Sequence, residues 1–331
     1  MPTLVLVHRK PLLDQWRVQL SSLLGLAPSD IGEISSAKRR PTRVVDLGMV
    51  QSLRQMEDQD PVYRDYGLLI VDECHHVPAF SFESILKKAC VRSVLGLTAT
   101  PYRRDGLQDL IVMQCGPVRH RISARVALEG GELMLEVKVR ETAFCLVQDA
   151  DGSIQDSFRA LVHDEARLQS ITEDVLAATR QGRRCLILSE RKEHCRLLND
   201  RLVAQGLTPF IVDGDIKKQA REAVLDKVRS LPRDQDLVLI ATGQYLGEGF
   251  DCPQVDTLFL TFPVSFKGKL IQYLGRIMRP YPGKTTTCVY DYADVNTSVL
   301  RHMYLRRLKT YDLLGVHGAE TPTAQPTLSL S

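Results

Sequence analysis

The sequence predicts an α/β fold built from two parallel-sheet domains, and three observations carry that expectation. Short apolar runs recur along the chain, each followed by a longer segment with helical spacing. The runs are nearly continuous in apolar residues, as in Leu68-Leu69-Ile70-Val71. That suits strands buried on both faces of a parallel sheet. A length of 331 residues is enough for about two domains of ordinary size.

In the first half, residues 4–7 read as a strand. Pro11 lies near the start of a helix reaching 24, where its missing N–H does no harm. A strand at 43–47, a helix at 51–57, the central strand at 68–71 and a helix at 82–89 follow. Residues 94–97 form a further strand, ended by Thr98-Ala99-Thr100-Pro101. Residues 121–140 behave differently. Ile122, Ala124, Val126 and Leu128 alternate with polar or small residues, and Leu133, Leu135, Val137 and Val139 alternate again after Gly130-Gly131. Period two on both sides of a Gly-Gly turn signals an inserted β-hairpin. It is expected between the domains, with 149–153 as the flexible crossing.

The second half opens with a helix at 164–180, ended by Gly182. Strands at 185–188, 208–212, 237–241 and 257–261 then alternate with helices at 192–205, 217–230 and 269–278. A strand at 288–292 closes the sheet, and a basic helix covers 295–314. Residues 315–331, rich in Thr, Pro and Ala, read as a disordered tail. The expected division is 1–118 for the first domain, 119–153 for hairpin and linker, and 154–314 for the second domain.

Hydrophobic content of 44% and charged content of 25% fit a soluble globular protein. A net charge of +3 is too small to name a nucleic-acid partner, because what matters is where basic residues cluster. The eight cysteines form no C-x-x-C pair, which argues against a zinc module or a thioredoxin-like motif. Neither a signal peptide nor an apolar run near 18 residues is present, so the expectation is a cytoplasmic protein with reduced thiols and no membrane partner.

The chemistry concentrates at strand ends. Asp72 and Glu73 follow the central strand directly, where open α/β sheets bind ligands. An Asp there can hold Mg²⁺ while an adjacent Glu orients or deprotonates a water, a division of labour that phosphoryl transfer needs. Alone, the pair is equally a polar turn. Thr98 and Thr100 end the neighbouring strand and can bond the carboxylates. Gln272, Gly275, Arg276 and Arg279 have a spacing that shares one helix face. Arginine suits phosphate because its charge is permanent and its fork matches the oxygens. Ala241-Thr242-Gly243 continues into Gly247-Glu248-Gly249-Phe250-Asp251, where glycines admit a phosphate or ribose and Asp251 can accept from a sugar hydroxyl or an arginine. His8-Arg9-Lys10 sits between the first strand and a helix start, an anion site suited to a nucleic-acid phosphate.

Together these stretches resemble the superfamily 2 helicases over nearly the whole chain. Residues 5–16 resemble motif Ia and 49–53 the following strand-contact motif. Asp72-Glu73-Cys74-His75 resembles motif II in a D-E-x-H form, and 98–100 motif III. Residues 186–190, 241–251 and 272–279 resemble motifs IV, V and VI. The D-E-C-H box, the Tyr102-Arg103-Arg104-Asp105 run and the inserted hairpin look closest to XPB-like and type III restriction-like DNA translocases. The resemblance also extends to bacterial helicases of mobile-element conflict systems. It implies two RecA-like domains of the P-loop NTPase class, with ATP and Mg²⁺ bound between them. Asp72 would bind Mg²⁺, Glu73 would handle the attacking water, and Arg276 and Arg279 would reach over. Gln272, Gly249, Asp251 and His75 would also serve the nucleotide, while Thr98, Thr100 and His75 would couple its state to domain position. Arg9, Lys10, Gln51, Ser52 and Thr242 would hold the backbone of a nucleic acid, DNA rather than RNA.

One departure stands out. The family has a G-x-x-x-x-G-K-[ST] loop before motif Ia, and residues 1–331 contain none. Gly283-Lys284-Thr285 is a decoy, since position 278 is Met where the first Gly belongs. The first domain is therefore expected to lack its initial strand, loop and helix, which another chain or an N-terminal segment would supply. The chain alone is expected to show little ATP hydrolysis. The alternative reading is a non-catalytic nucleic-acid-binding helicase remnant. A metal site made of Glu73, Cys74, His75 and His76 is a third reading, weakened because adjacent residues cannot easily all reach one ion.

Overall fold

The computed structural model describes residues 1–75, 79–98, 109–120, 133–146, 153–216, 218–243, 252–265 and 267–316. The chain divides into two compact units, 1–121 and 122–331.

In the first unit the strands are β1 (Thr3–Val7), β2 (Ile31–Ile34), β3 (Arg39–Arg40), β4 (Val45–Met49), β5 (Leu68–Val71) and β6 (Ser93–Gly96). They form one sheet in the order β3-β2-β4-β1-β5-β6, parallel throughout except for β3 against β2. The helices are α1 (Lys10–Leu24), α2 (Val50–Arg54), α3 (Ala79–Lys88) and α4 (Asp109–Cys115), with a 3-10 turn at Pro61–Arg64. Period-two alternation divides β1 between two cores. Leu4 and Leu6 join Leu69, Val71, Phe82 and Ile85 on one face. Val5 and Val7 join Leu12, Leu13, Ile31 and Leu47 under α1 on the other. Helix α1 has Pro11 in its first turn and ends on Gly25 at φ +63, the left-handed stop that glycine supplies without strain.

Strand β2 was not foreseen, because Ile31-Gly32-Glu33-Ile34 carries a glycine and a charge. The charge is buried with partners: Glu33 accepts from Lys10 Nζ at 2.8 Å, from Arg17 at 2.9 Å and from the Ser35 hydroxyl at 2.9 Å.

The second unit contains β7 (Met134–Glu141), β8 (Cys185–Ser189), β9 (Phe210–Val212), β10 (Val238–Thr242), β11 (Thr257–Leu260) and β12 (Thr286–Ala293). Their order is β7-β12-β11-β8-β10-β9, and every pair is parallel. The helices are α5 (Ile154–Val162), α6 (Glu165–Arg180), α7 (Lys192–Ala204), α8 (Lys218–Ser230), α9 (Lys267–Ile277) and α10 (Ser298–Leu313). Leu186, Leu188, Leu239, Leu258 and Val289 pack with Tyr273, Leu274, Tyr304 and Tyr311 of α9 and α10 on one face. Ile187, Ile240, Phe259 and Tyr290 pack with α6 and α7 on the other.

Strand β7 is the described part of the expected hairpin segment. The segment holding Leu135, Val137 and Val139 runs parallel to β12 along eight paired residues, as an edge strand of the second sheet. Among the described residues β12 is its pairing partner. The other expected arm, 121–132, lies outside the described residues. So do 149–152 of the expected crossing and 317–331 of the tail.

Helix α10 is tied down by buried charge. Arg307 grips Asp291 through three contacts of 2.8–3.0 Å, and the Tyr311 hydroxyl donates to the same carboxylate at 2.8 Å. Removing one partner of such a pair costs about 3–5 kcal/mol, because it strands a buried charge. Arg167 of α6 makes a second such contact, with Asp294 at 2.8 Å and the Thr261 carbonyl at 2.7 Å. No described helix is long and apolar enough to cross a membrane.

Candidate functional site

The first sheet gathers the expected residues along one edge. The register pairs Val7 with Met49, Leu6 with Val71, and Val71 with Gly96. The segments that follow β1, β4, β5 and β6 therefore emerge side by side. They carry Arg9 and Lys10, then Gln51 and Ser52, then Asp72 and Glu73, then Thr98. This is the carboxyl edge, where parallel sheets bind ligands.

Asp72 is anchored from both sides. Its backbone N–H donates to the Leu6 carbonyl at 3.0 Å. Oδ1 accepts from the Glu73 backbone N–H at 2.9 Å, and Oδ2 from the Trp16 indole N–H at 2.7 Å. One lone pair on each oxygen remains for a hydrated cation. Mg²⁺ uses one or two carboxylates plus substrate phosphates rather than a full protein cage, so Asp72 fits it. The indole would act as an outer partner that fixes the carboxylate's orientation. Sequence reading placed Trp16 in a motif but missed this contact. An indole needs a partner when partly buried, and that was the only available signal.

Glu73 has φ +47, the left-handed region where a side chain is strained. Its Oε2 lies 3.3 Å from His75 Nδ1, which in turn is 2.7 Å from Thr98 Oγ1. His75 is buried, so the Glu73–His75–Thr98 line links two strand ends. Cys74 is engaged elsewhere: its thiol and that of Cys115 meet over Gly96. The hydrogen bond with Cys115, and then burial, push the Cys74 thiol well up, leaving it protonated and a poor metal ligand. Among the described residues, no cluster of three or more His, Cys, Asp or Glu is arranged to hold a metal ion.

The expected backbone contacts are less open than their sequence implied. Lys10 pairs with Glu33 at 2.8 Å and Asp14 at 3.3 Å. Burial opposes its charge, but the Glu33 hydrogen bond and the Asp14 charge outweigh it and raise the ammonium's pKa. The Gln51 amide donates to the His8 carbonyl at 2.9 Å. Thr242 is buried at the end of β10.

In the second unit, α9 carries Gln272, Gly275 and Arg276, but it ends at Ile277. Arg279 therefore lies in the turn beyond the helix, not on its face as the spacing implied. Its N–H still reaches the Arg276 carbonyl, at 3.4 Å. The helix is positioned by residues that the sequence did not single out. Tyr273 is buried, and its hydroxyl donates to the Gly243 carbonyl at 3.1 Å. Lys269 Nζ donates to Glu190 Oε1 at 2.7 Å. A Cβ at Gly243 would run into the Glu190 carboxylate and the Tyr273 hydroxyl, so any larger residue there would displace these two side chains. Thr100, Gly249 and Asp251 lie outside the described residues.

Gly275 is the opposite case. A Cβ there would meet nothing within 4 Å, so packing within the unit does not call for glycine. A mid-helix glycine costs about 0.5–1 kcal/mol relative to alanine. Gly275→Ala is therefore expected to stabilise the second unit by about that amount in denaturant unfolding. It should weaken any ligand that approaches this helix face closely. A destabilised variant would contradict the first point.

Two family models match the chain in order. The type III restriction enzyme res subunit model covers residues 1–103, and the helicase conserved C-terminal domain model covers 167–281. Together these matches support a superfamily 2 helicase with a type III restriction-like relationship. It is 25% identical over 326 residues to 161L of Invertebrate iridescent virus 6, a protein named as a helicase, covering 93% of this chain and 70% of that one. It is 22% identical over 302 residues to D10 of Escherichia phage T5, also named as a helicase, covering 87% of this chain and 61% of that one. Its fold is similar to a fragment of an HsdR subunit of a type I restriction enzyme from Vibrio vulnificus YJ016. That match has a TM-score of 0.64 and 19% identity, and covers 91% of this chain and 54% of the other. The chain thus spans about half to 70% of the length of these relatives. Its two parallel-sheet units are RecA-like.

Proposed function

We propose that this chain is the motor core of an ATP-dependent translocase acting on DNA. The observation that carries it is the carboxyl edge of the first sheet, where Asp72 is held by Trp16 and Glu73 sits in a strained backbone conformation. In this reading Asp72 holds Mg²⁺, and Glu73 accepts the proton of the attacking water. Mg²⁺, when bound, neutralises charge on the phosphate oxygens. His75 and Thr98 relay the state of Glu73 to the neighbouring strand. Arg276 and Arg279 offer permanent positive charge to the transferring phosphoryl group, with Gln272, Gly249 and Asp251 as nucleotide contacts. Arg9, Ser52, Gln51, Lys10 and Thr242 face the nucleic-acid backbone. The match to the type III restriction enzyme res subunit favours DNA over RNA. Residues 1–331 hold no lysine-bearing phosphate loop, so the reading has it supplied from outside them.

Titration of the chain against labelled single-stranded DNA and RNA at several salt concentrations tests the binding half. DNA should bind more tightly, with affinity falling as salt rises. A phosphate-release assay tests the chemical half. DNA should stimulate turnover in a form that contains the loop and leave residues 1–331 nearly inactive. Absence of binding to either nucleic acid would sink the reading. Robust turnover by residues 1–331 would point to a different phosphate-binding element.

A further inference from the structure

Lys284 belongs to the Gly283-Lys284-Thr285 decoy, yet its ammonium is buried among backbone carbonyls of the second unit. Gly283 turns at φ +72 with the Arg233 guanidinium packed against it, and this directs Lys284 inward. There Nζ lies within hydrogen-bond distance of four backbone carbonyls, Pro253 at 3.1 Å, Val255 at 2.6 Å, Arg279 at 3.2 Å and Ile277, so its three N–H groups serve four acceptors with one shared. These carbonyls fall into two groups. Ile277 and Arg279 end the α9 segment that bears the arginines, while Pro253 and Val255 follow the glycine-rich segment 247–251. The carbonyls at a helix end carry partial negative charge and lack partners within the helix, so a cation is the natural cap.

We propose that Lys284 is a positioning residue that ties the turn bearing Arg279, and the end of the helix bearing Arg276, to the 253–255 segment. The assignment of those arginines to phosphoryl transfer rests on the helicase reading above; the capping contact itself does not. Lys284 touches no reacting atom. It sets where the turn after α9 lies, and so where the Arg279 guanidinium can reach.

Burial acts against the capping charge. Burial pulls the Lys284 ammonium down to about 8, while Asp256 and Cys252 raise it and Arg183 lowers it. Asp256 is already engaged by Arg183 at 3.3 Å, which limits its help. Its capped pKa lies below the ordinary 10.5, so between the two values any state that exposes Lys284 binds more protons, and linkage does not loosen the cap or the fold as pH rises.

Amide hydrogen exchange on the 331-residue chain tests this without needing turnover. In Lys284→Met, amides of 274–279 should exchange about tenfold faster, as expected when a charged hydrogen-bond donor is lost. Amides of α10 and β12 should stay as protected as in the parent. Lys284→Arg, which keeps a charged N–H donor at this position, should restore protection. Unchanged exchange at 274–279 in Lys284→Met, or an equal rise throughout the second unit, would overturn the proposal. If exchange responds as expected but no form of the protein hydrolyses ATP, the cap stands and the reading of the arginines is what fails.

Discussion

Glu73→Gln is expected to lower kcat for DNA-stimulated ATP hydrolysis by about 10²–10⁴-fold, the usual contribution of a positioned general base. Nucleotide and DNA affinity should hardly move. The amide keeps the shape and the polar contact toward His75 but cannot take a proton from water. The experiment requires a form of the protein that carries a phosphate loop. Backbone strain supplies an internal control. Glu73 sits at φ +47, and relieving a left-handed side chain is worth about 1–2 kcal/mol. Glu73→Gly should therefore be as inactive as Glu73→Gln yet more stable to denaturant. Such a pair, one neutral and one stabilised, separates lost chemistry from lost fold. If Glu73→Gln kept full turnover, the assignment of Glu73 as the base would be wrong, and the strain would need another explanation.

That strain marks the limit of what could be read from the chain. The strand runs 4–7 and 68–71 were legible because parallel strands buried on both faces must be apolar throughout, and β1 and β5 formed there. The acidic pair was legible because it follows such a run directly. The hold of Trp16 on Asp72 was not, because 56 residues separate them and only the fold brings α1 across the end of β5. Strand β2 escaped notice because Glu33 looks like a loop residue until Lys10 and Arg17 are placed around it. Strand β7 was legible as a strand but not as a sheet member. Alternation says that one face is covered and nothing about which partner runs beside it. The Q-x-x-G-R-x-x-R spacing located α9 but overran its end. The Lys284 contacts with the Ile277 and Arg279 carbonyls lie beyond any pattern of period 3.6.

Arg279→Ala should have the largest effect of all, about 10³–10⁵-fold on kcat, the range of arginine fingers. The structure sharpens the reason. Arg276 is carried by α9 itself, whereas Arg279 sits two residues past the helix end in a turn clamped through its own carbonyl by Lys284. A guanidinium on a clamped turn is preorganised, so little conformational freedom is lost when charge develops on the phosphoryl group. An interaction made mainly in the transition state acts on kcat and not on ground-state affinity. Nucleotide binding should therefore change only slightly, and DNA binding without nucleotide should not change. Arg279→Lys should rescue little, because a point charge on a flexible stem does not reproduce the planar fork. The second unit should melt at an unchanged temperature, since the clamp uses the backbone of residue 279 and not its side chain. Turnover and binding measured on Arg279→Ala, Arg279→Lys and Lys284→Met in a form with its phosphate loop decide the matter. Intact kcat combined with lost DNA binding would move this turn from the nucleotide to the nucleic acid, and the assignment of the arginines would fall with it.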